Sequence, residues 1–137
     1  MAVLEYKKLD VWNDSMDFVA KVYEMFPLFP QEEKFGIVAQ MRRASVSIPS
    51  NIAEGCSRQS KKEAIKFIYI SLGSLSEVET QLMLSEKLGF VKLTQECLEE
   101  IEKLRRQMYG LIRFLSKPQP VPNPKIQKSE NPKILHL

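Results

Sequence analysis

The sequence predicts an all-α protein, an antiparallel up-down-up-down four-helix bundle with an extended Pro-rich C-terminal tail. Apolar or small residues recur at alternating three- and four-residue steps in four successive segments, the stripe that a packed helix needs, and the pattern never switches to a strand period. Only 5 glycines in 137 residues argue against a turn-rich β fold. Capping signals stand where the third and fourth segments begin.

In the first segment the inward stripe reads Leu9, Trp12, Met16, Val19, Tyr23 and Phe26, after which Pro27 and Pro30 stop the helix. Gln31, Glu32 and Glu33 suit the positive first turn of a second helix, whose stripe is Phe35, Val38, Met41, Ser45, Ile48 and Ile52 and which closes near Gly55. Pro49 lies inside it, removes the backbone bond to Ser45 and predicts a kink or a local break. Ser60 and Glu63 form a capping box for a third helix with the stripe Ala64, Ile68, Ser71, Leu75, Val78, Leu82 and Ser85, stopped by Gly89. Thr94 caps a fourth helix that turns Cys97, Ile101, Leu104, Met108, Leu111 and Leu115 inward. Short connections between long helices favour antiparallel neighbours. The bundle is expected over residues 1–117, and a Pro/Lys-rich tail over 118–137, where Ile134, Leu135 and Leu137 are the apolar residues able to dock on a partner.

The chain length suits one domain. No uncharged run approaches the ~20 apolar residues that span a bilayer, so no membrane association is expected. Glu5, Lys7, Lys8 and Asp10 interrupt the N-terminal stretch where an export signal would be apolar, which makes the cytoplasm the expected location. Cys56 and Cys97 read as reduced packing thiols at opposite ends of the bundle. Net charge is +3, but acidic stretches (1–36, 77–102) alternate with basic ones (37–76, 103–117), so a basic face is possible without a strongly basic total.

Catalytic chemistry is hard to place. His136 is the single histidine, and phosphate-loop, zinc-helix and nucleophile-elbow motifs are missing, as are the Glu-x-x-His pairs of di-iron bundles. The expectation is a non-enzyme with no cofactor and no metal. The informative stretch is residues 40–82. If the second and third helices turn near residue 59, Ser45 faces Gly73, Ile48 faces Ile70, and Arg42 or Arg43 comes within reach of Glu77 or Glu79. The arginines then read as an ion-pair network at a helix or subunit seam. They also read, with Arg58, Lys61, Lys62 and Lys66, as a phosphate-contacting patch. Asn51 and Glu54 are placed to satisfy backbone groups near the Pro49 disruption. Lys103, Arg105, Arg106 and Arg113 on the fourth helix read as a solvated face, and no aromatic stacking motif accompanies the patch.

The string VSIPSNIAEG at 46–55, preceded by FGIVAQMRRAS at 35–45 and followed by EAIKFIYISLGSLSEVETQL at 63–82, resembles a known family. It is similar to the four-helix-bundle proteins encoded in bacterial large-subunit rRNA intervening sequences, which are related to the accessory variability determinant of diversity-generating retroelements. The resemblance runs from about Leu9 to Leu115. It implies a ring-like homopentamer without enzymatic activity and, in the retroelement branch, a basic surface for RNA or DNA and a reverse transcriptase as partner. The matching basic positions are Arg42, Arg43, Arg58, Lys61 and Lys62. The alternative is an assembly or adaptor protein in which Arg42, Arg43, Glu77 and Glu79 hold subunits together, the tail or outer face recruits another protein, and no nucleic acid is bound.

Overall fold

Four helices account for the fold: α1 (Asp10–Met25), α2 (Ile37–Cys56), α3 (Lys61–Lys87) and α4 (Gln95–Ser116). They come from a computed structural model that describes residues 1–118, so the tail expected over 118–137, Pro118 apart, lies outside the described residues. Short 3-10 turns at Tyr6–Lys8, Phe26–Leu28 and Gln31–Glu33 join them, and the described residues contain no strand.

The helix ends follow their sequence signals. The Ser60 hydroxyl accepts from the Glu63 amide at 3.1 Å, and the Thr94 hydroxyl accepts from the Cys97 amide at the same distance. Gly89 adopts φ +80°, and the amides of Gly89 and Phe90 reach back to the carbonyls of Glu86 and Ser85, which closes α3. The C-terminal carbonyl of α2 is met from outside: the Cys56 oxygen accepts from the amides of Val3 and Leu4, so the N-terminal segment straps the end of α2.

Contacts between helices descend in sequence as antiparallel neighbours do. Along α2 and α3, the Ser47 and Ser74 hydroxyls share a hydrogen bond at 2.8 Å, the Ser71 hydroxyl donates to the Ile48 carbonyl at 2.8 Å, and Gly55 packs on Ala64 and Phe67. Along α1 and α4, Lys21 meets Glu96 and Glu100 while Asp14 meets Lys103 and Gln107. One apolar core runs through all four helices, including Phe18, Met41, Ile48, Ile52, Ile68, Leu75, Leu82, Ile101, Leu104 and Met108. The whole expected stripes of α3 and α4 are buried, Ser71 and Ser85 included.

Two stripes are corrected. In α1 the buried line is Val11, Ser15, Phe18 and Val22, whereas Met16 is 46% exposed and Trp12, Val19 and Tyr23 are half-buried. Two apolar lines lie side by side on this helix, and Ser15, whose hydroxyl donates to the Trp12 carbonyl, disguises the inner one as polar. In α2 the helix starts later than expected. Gly36 breaks the path with ψ −117°, Gln31–Glu33 forms its own turn, and Phe35 is left 88% exposed rather than buried. Glu33 still serves α2, because its carboxylate accepts from the Ile37 amide at 3.4 Å.

The tight approach of α2 and α3 also lies elsewhere than expected. Gly73 is exposed, with open space where a Cβ would stand, and Ile70 is 43% exposed, so neither packs against Ser45 or Ile48. The contact that demands glycine is Gly55, where a Cβ would come within 2.9 Å of both the Ala64 carbonyl oxygen and the Phe67 Cβ. α2 continues through Pro49, which is itself buried. Beside it the Asn51 amide group donates to the Ser47 carbonyl and hydroxyl, both at 2.8 Å.

Candidate nucleic-acid interface

Arg42 and Arg43 are adjacent in sequence and diverge by about 100° around α2. Arg42 turns towards α1, where its guanidinium lies 5.0 Å from the Tyr23 ring and 4.9 Å from the Phe26 ring. Such cation–π contacts hold the group beside the rings while the residue as a whole stays exposed. The rings, Phe29 and Lys34 line a cleft of about 370 Å³ with Arg42 at its margin. Arg43 is exposed and has no ion-pair partner among the described residues.

Arg58 sits in the α2–α3 turn, 4.8 Å over the Phe67 ring and 3.3 Å from the Glu54 carboxylate. Its Nε is buried without a hydrogen-bond partner, so the residue is drawn into the turn's packing as much as it faces solvent. Lys61 and Lys62 open α3, Lys61 half-buried and Lys62 exposed, and Lys66 follows one turn later, also exposed. At 1.5 Å of rise per residue, about 20 Å of α2 separates Arg43 from Arg58. The five cations therefore form two patches, Arg42 with Arg43 and Arg58 with Lys61 and Lys62, rather than the single cluster that their spacing in the chain suggests.

The expected seam of Arg42 and Arg43 with Glu77 and Glu79 does not form within the described residues. Glu79 pairs instead with Arg105 of α4 at 2.7 Å, and Arg105 also bonds Glu102. Burial opposes the Arg105 charge, and the hydrogen bond to Glu79 with the fields of Glu79 and Glu102 outweighs it, so its pKa rises. Glu77 accepts from the Gln81 side chain at 3.3 Å. Glu54 serves Arg58 and not the backbone near Pro49; Asn51 alone of that pair bonds there. Arg105, one of the helix-four cations read as a solvated face, is the residue that sequence reasoning misplaced. Its register opposite Glu79 depends on how α3 and α4 pack, which no local pattern reports.

Among the described residues, no group of His, Cys, Asp and Glu side chains is placed to hold a metal ion. A cleft of about 230 Å³ between α1 and α4 is lined by Asp14, Asp17, Lys21, Glu96, Glu100 and Lys103. These charges are largely spent on one another, and the hydrogen bond from Lys21 to Glu100 holds the Lys21 ammonium above its ordinary pKa. Cys56 and Cys97 are both buried free thiols, and burial pushes Cys56 up to about 12. No helix of the described residues is long and apolar enough to cross a membrane.

The fold and its surface thus define an all-helical bundle that presents charged patches on its outside. Residues 7–110, most of that bundle, match the family described as 23S rRNA-intervening sequence protein, and the chain belongs to that family. A comparison with curated proteins finds no match.

Proposed function

We propose that this protein is a non-enzymatic, homo-oligomeric helical bundle that associates with RNA through the basic residues of α2 and α3. The observation that carries the reading is the coincidence of the family match, whose description names 23S rRNA, with exposed cations that lack an ion-pair partner among the described residues, Arg43 and Lys62 foremost. An unpaired surface cation keeps its full charge for a phosphate, whereas one already paired must first give up its carboxylate. Arg42 adds a further exposed cation, held against the Tyr23 and Phe26 rings. Self-association is supported by apolar side chains left outside the core: Val46 on α2, with Ile70, Met83, Leu84 and Leu88 on or just beyond α3.

A mobility-shift titration with a structured rRNA fragment, repeated at rising salt, tests the binding. Retardation with a clear salt slope is expected, and combined reversal of Arg43, Lys61 and Lys62 to Glu should lower that slope by about three. No retardation at low salt, or a slope near zero, sinks the RNA reading. Light scattering tests the assembly, and a monomer mass at working concentration overturns it.

A further inference from the structure

Antiparallel packing of α3 on α4 places Glu79 opposite Arg105 and brings together two basic runs that are far apart in sequence. In that register residues 68–76 of α3 lie beside residues 108–116 of α4, and Lys66 and Lys62 continue the line of α3 past the end of α4. No acidic residue occurs in α3 from Ala64 to Ser76, nor in α4 from Lys103 to Ser116. Lys62, Lys66 and Tyr69 follow at i, i+4 and i+7 and form one outward line on α3. Tyr109 and Arg113 follow Arg105 at i+4 and i+8, about 40° and 80° further round α4 from the flank that meets α3, and both are exposed on its outer side. Tyr69 is 52% exposed and Tyr109 44% exposed, and neither ring has an aromatic or cationic partner among the described residues. Lys62, Lys66 and Arg113 likewise have no ion-pair partner among those residues.

We propose that this α3–α4 face binds unpaired nucleotides, with Tyr69 and Tyr109 as stacking platforms and Lys62, Lys66 and Arg113 as phosphate contacts. The proposal rests on the RNA-associated reading above and narrows it to single-stranded segments. Exposed tyrosines amid unopposed cations fit a flexible polyanion whose base faces are open, whereas a duplex keeps those faces stacked inside. Phosphate contacts position the strand without reading it, and ring stacking tolerates any base, so the expected preference is for strandedness over sequence.

Fluorescence anisotropy with a labelled single-stranded oligoribonucleotide, the same strand as DNA, and the corresponding RNA duplex tests it. Tyr69→Ala with Tyr109→Ala should weaken both single strands about tenfold or more, leaving duplex affinity and the salt slope unchanged. Replacement of both by Phe should keep most of the affinity. Reversal of Lys62, Lys66 and Arg113 to Glu should weaken all three probes and lower the salt slope by about three. An alanine pair that binds single strands as tightly as the unaltered protein overturns the proposal. So does an alanine pair that changes the mass seen by light scattering, because the face is then a subunit seam. If the unaltered protein binds none of the probes, the RNA-associated reading falls too. If it binds, and only reversal at Arg43 and Lys61 weakens it, that reading stands and this one falls.

Discussion

The Ser71 hydroxyl donates to the Ile48 carbonyl at 2.8 Å, a buried bond that ties α3 to the residue immediately before Pro49 in α2. The bond lies within a polar seam: Ser47 and Ser74 share a hydrogen bond, and Asn51 donates to both oxygens of Ser47. A proline in a helix withholds one donor and crowds the preceding turn. Here the local hydrogen bonding is supplemented by side chains from both helices.

Removing that hydroxyl should cost a measurable but survivable amount. Ser71→Ala is expected to lower unfolding free energy by about 1 kcal/mol, the usual net value of one buried hydrogen bond. Urea denaturation would show it as a lower midpoint at unchanged m-value. No change in midpoint would mean that apolar packing alone holds the two helices at this level.

Two glycines of the same helix pair should respond in opposite directions. Gly55→Ala places a Cβ 2.9 Å from the Ala64 carbonyl oxygen, which is backbone and cannot swing aside, and destabilisation by about 1 to 3 kcal/mol is expected. Gly73→Ala meets open space inside α3 and should stabilise by up to about 1 kcal/mol through helix propensity. Thermal melts of the two single variants decide the matter. Loss of stability at both positions would show that Gly73 is covered in the native assembly.

The Glu79–Arg105 pair is about three-quarters buried, with side-chain exposures of 28% and 23%. Glu79→Gln should reduce stability by roughly 0.5 to 1 kcal/mol at low salt, because solvent still screens the pair and Glu102 continues to hold Arg105. A double-mutant cycle with Arg105→Gln measures the coupling. A coupling near zero would show that the pair contributes nothing to the packing of α3 on α4.

Alkaline unfolding should carry the mark of Cys56. Burial raises its folded pKa from the model-compound 9.0 to about 12, so the folded state keeps a proton that the unfolded chain releases in that interval. The thiol's contribution to stability is complete below about pH 9 and is lost as pH rises towards 12, at up to about 1.4 kcal/mol per pH unit. Cys56→Ala has no thiol to titrate, so its stability should fall less steeply with pH over that window. Parallel pH profiles for the two proteins would contradict the buried-thiol account.

Most of the fold is legible along the chain because its signals are local. The capping hydroxyls of Ser60 and Thr94, the stop at Gly89 and the inward stripes of α3 and α4 need only neighbours within a turn or two. Legibility fails where two local patterns compete. On α1 two apolar lines run side by side, and the choice between them depends on which faces α2 and α4 present, so Met16 ends outside and Ser15 inside. Phe35 continued the apolar period of α2, but the Gly36 break leaves it before the helix begins.

The candidate surface divides in the same way. Residue types and charge runs are properties of the chain, and from them alone follow the helical class, the absence of recognisable catalytic motifs and the candidate cations from Arg42 to Lys62. Which cations are spent and which stay available is a property of packing. Glu79 is claimed by Arg105 from α4, Arg58 by Glu54 and the Phe67 ring, and Arg42 by two rings near the end of α1, while Arg43 and Lys62 keep no ion-pair partner among the described residues. Helix periodicity states which face turns inward, but pairing across helices depends on register and crossing, which arise only when four stripes are buried together.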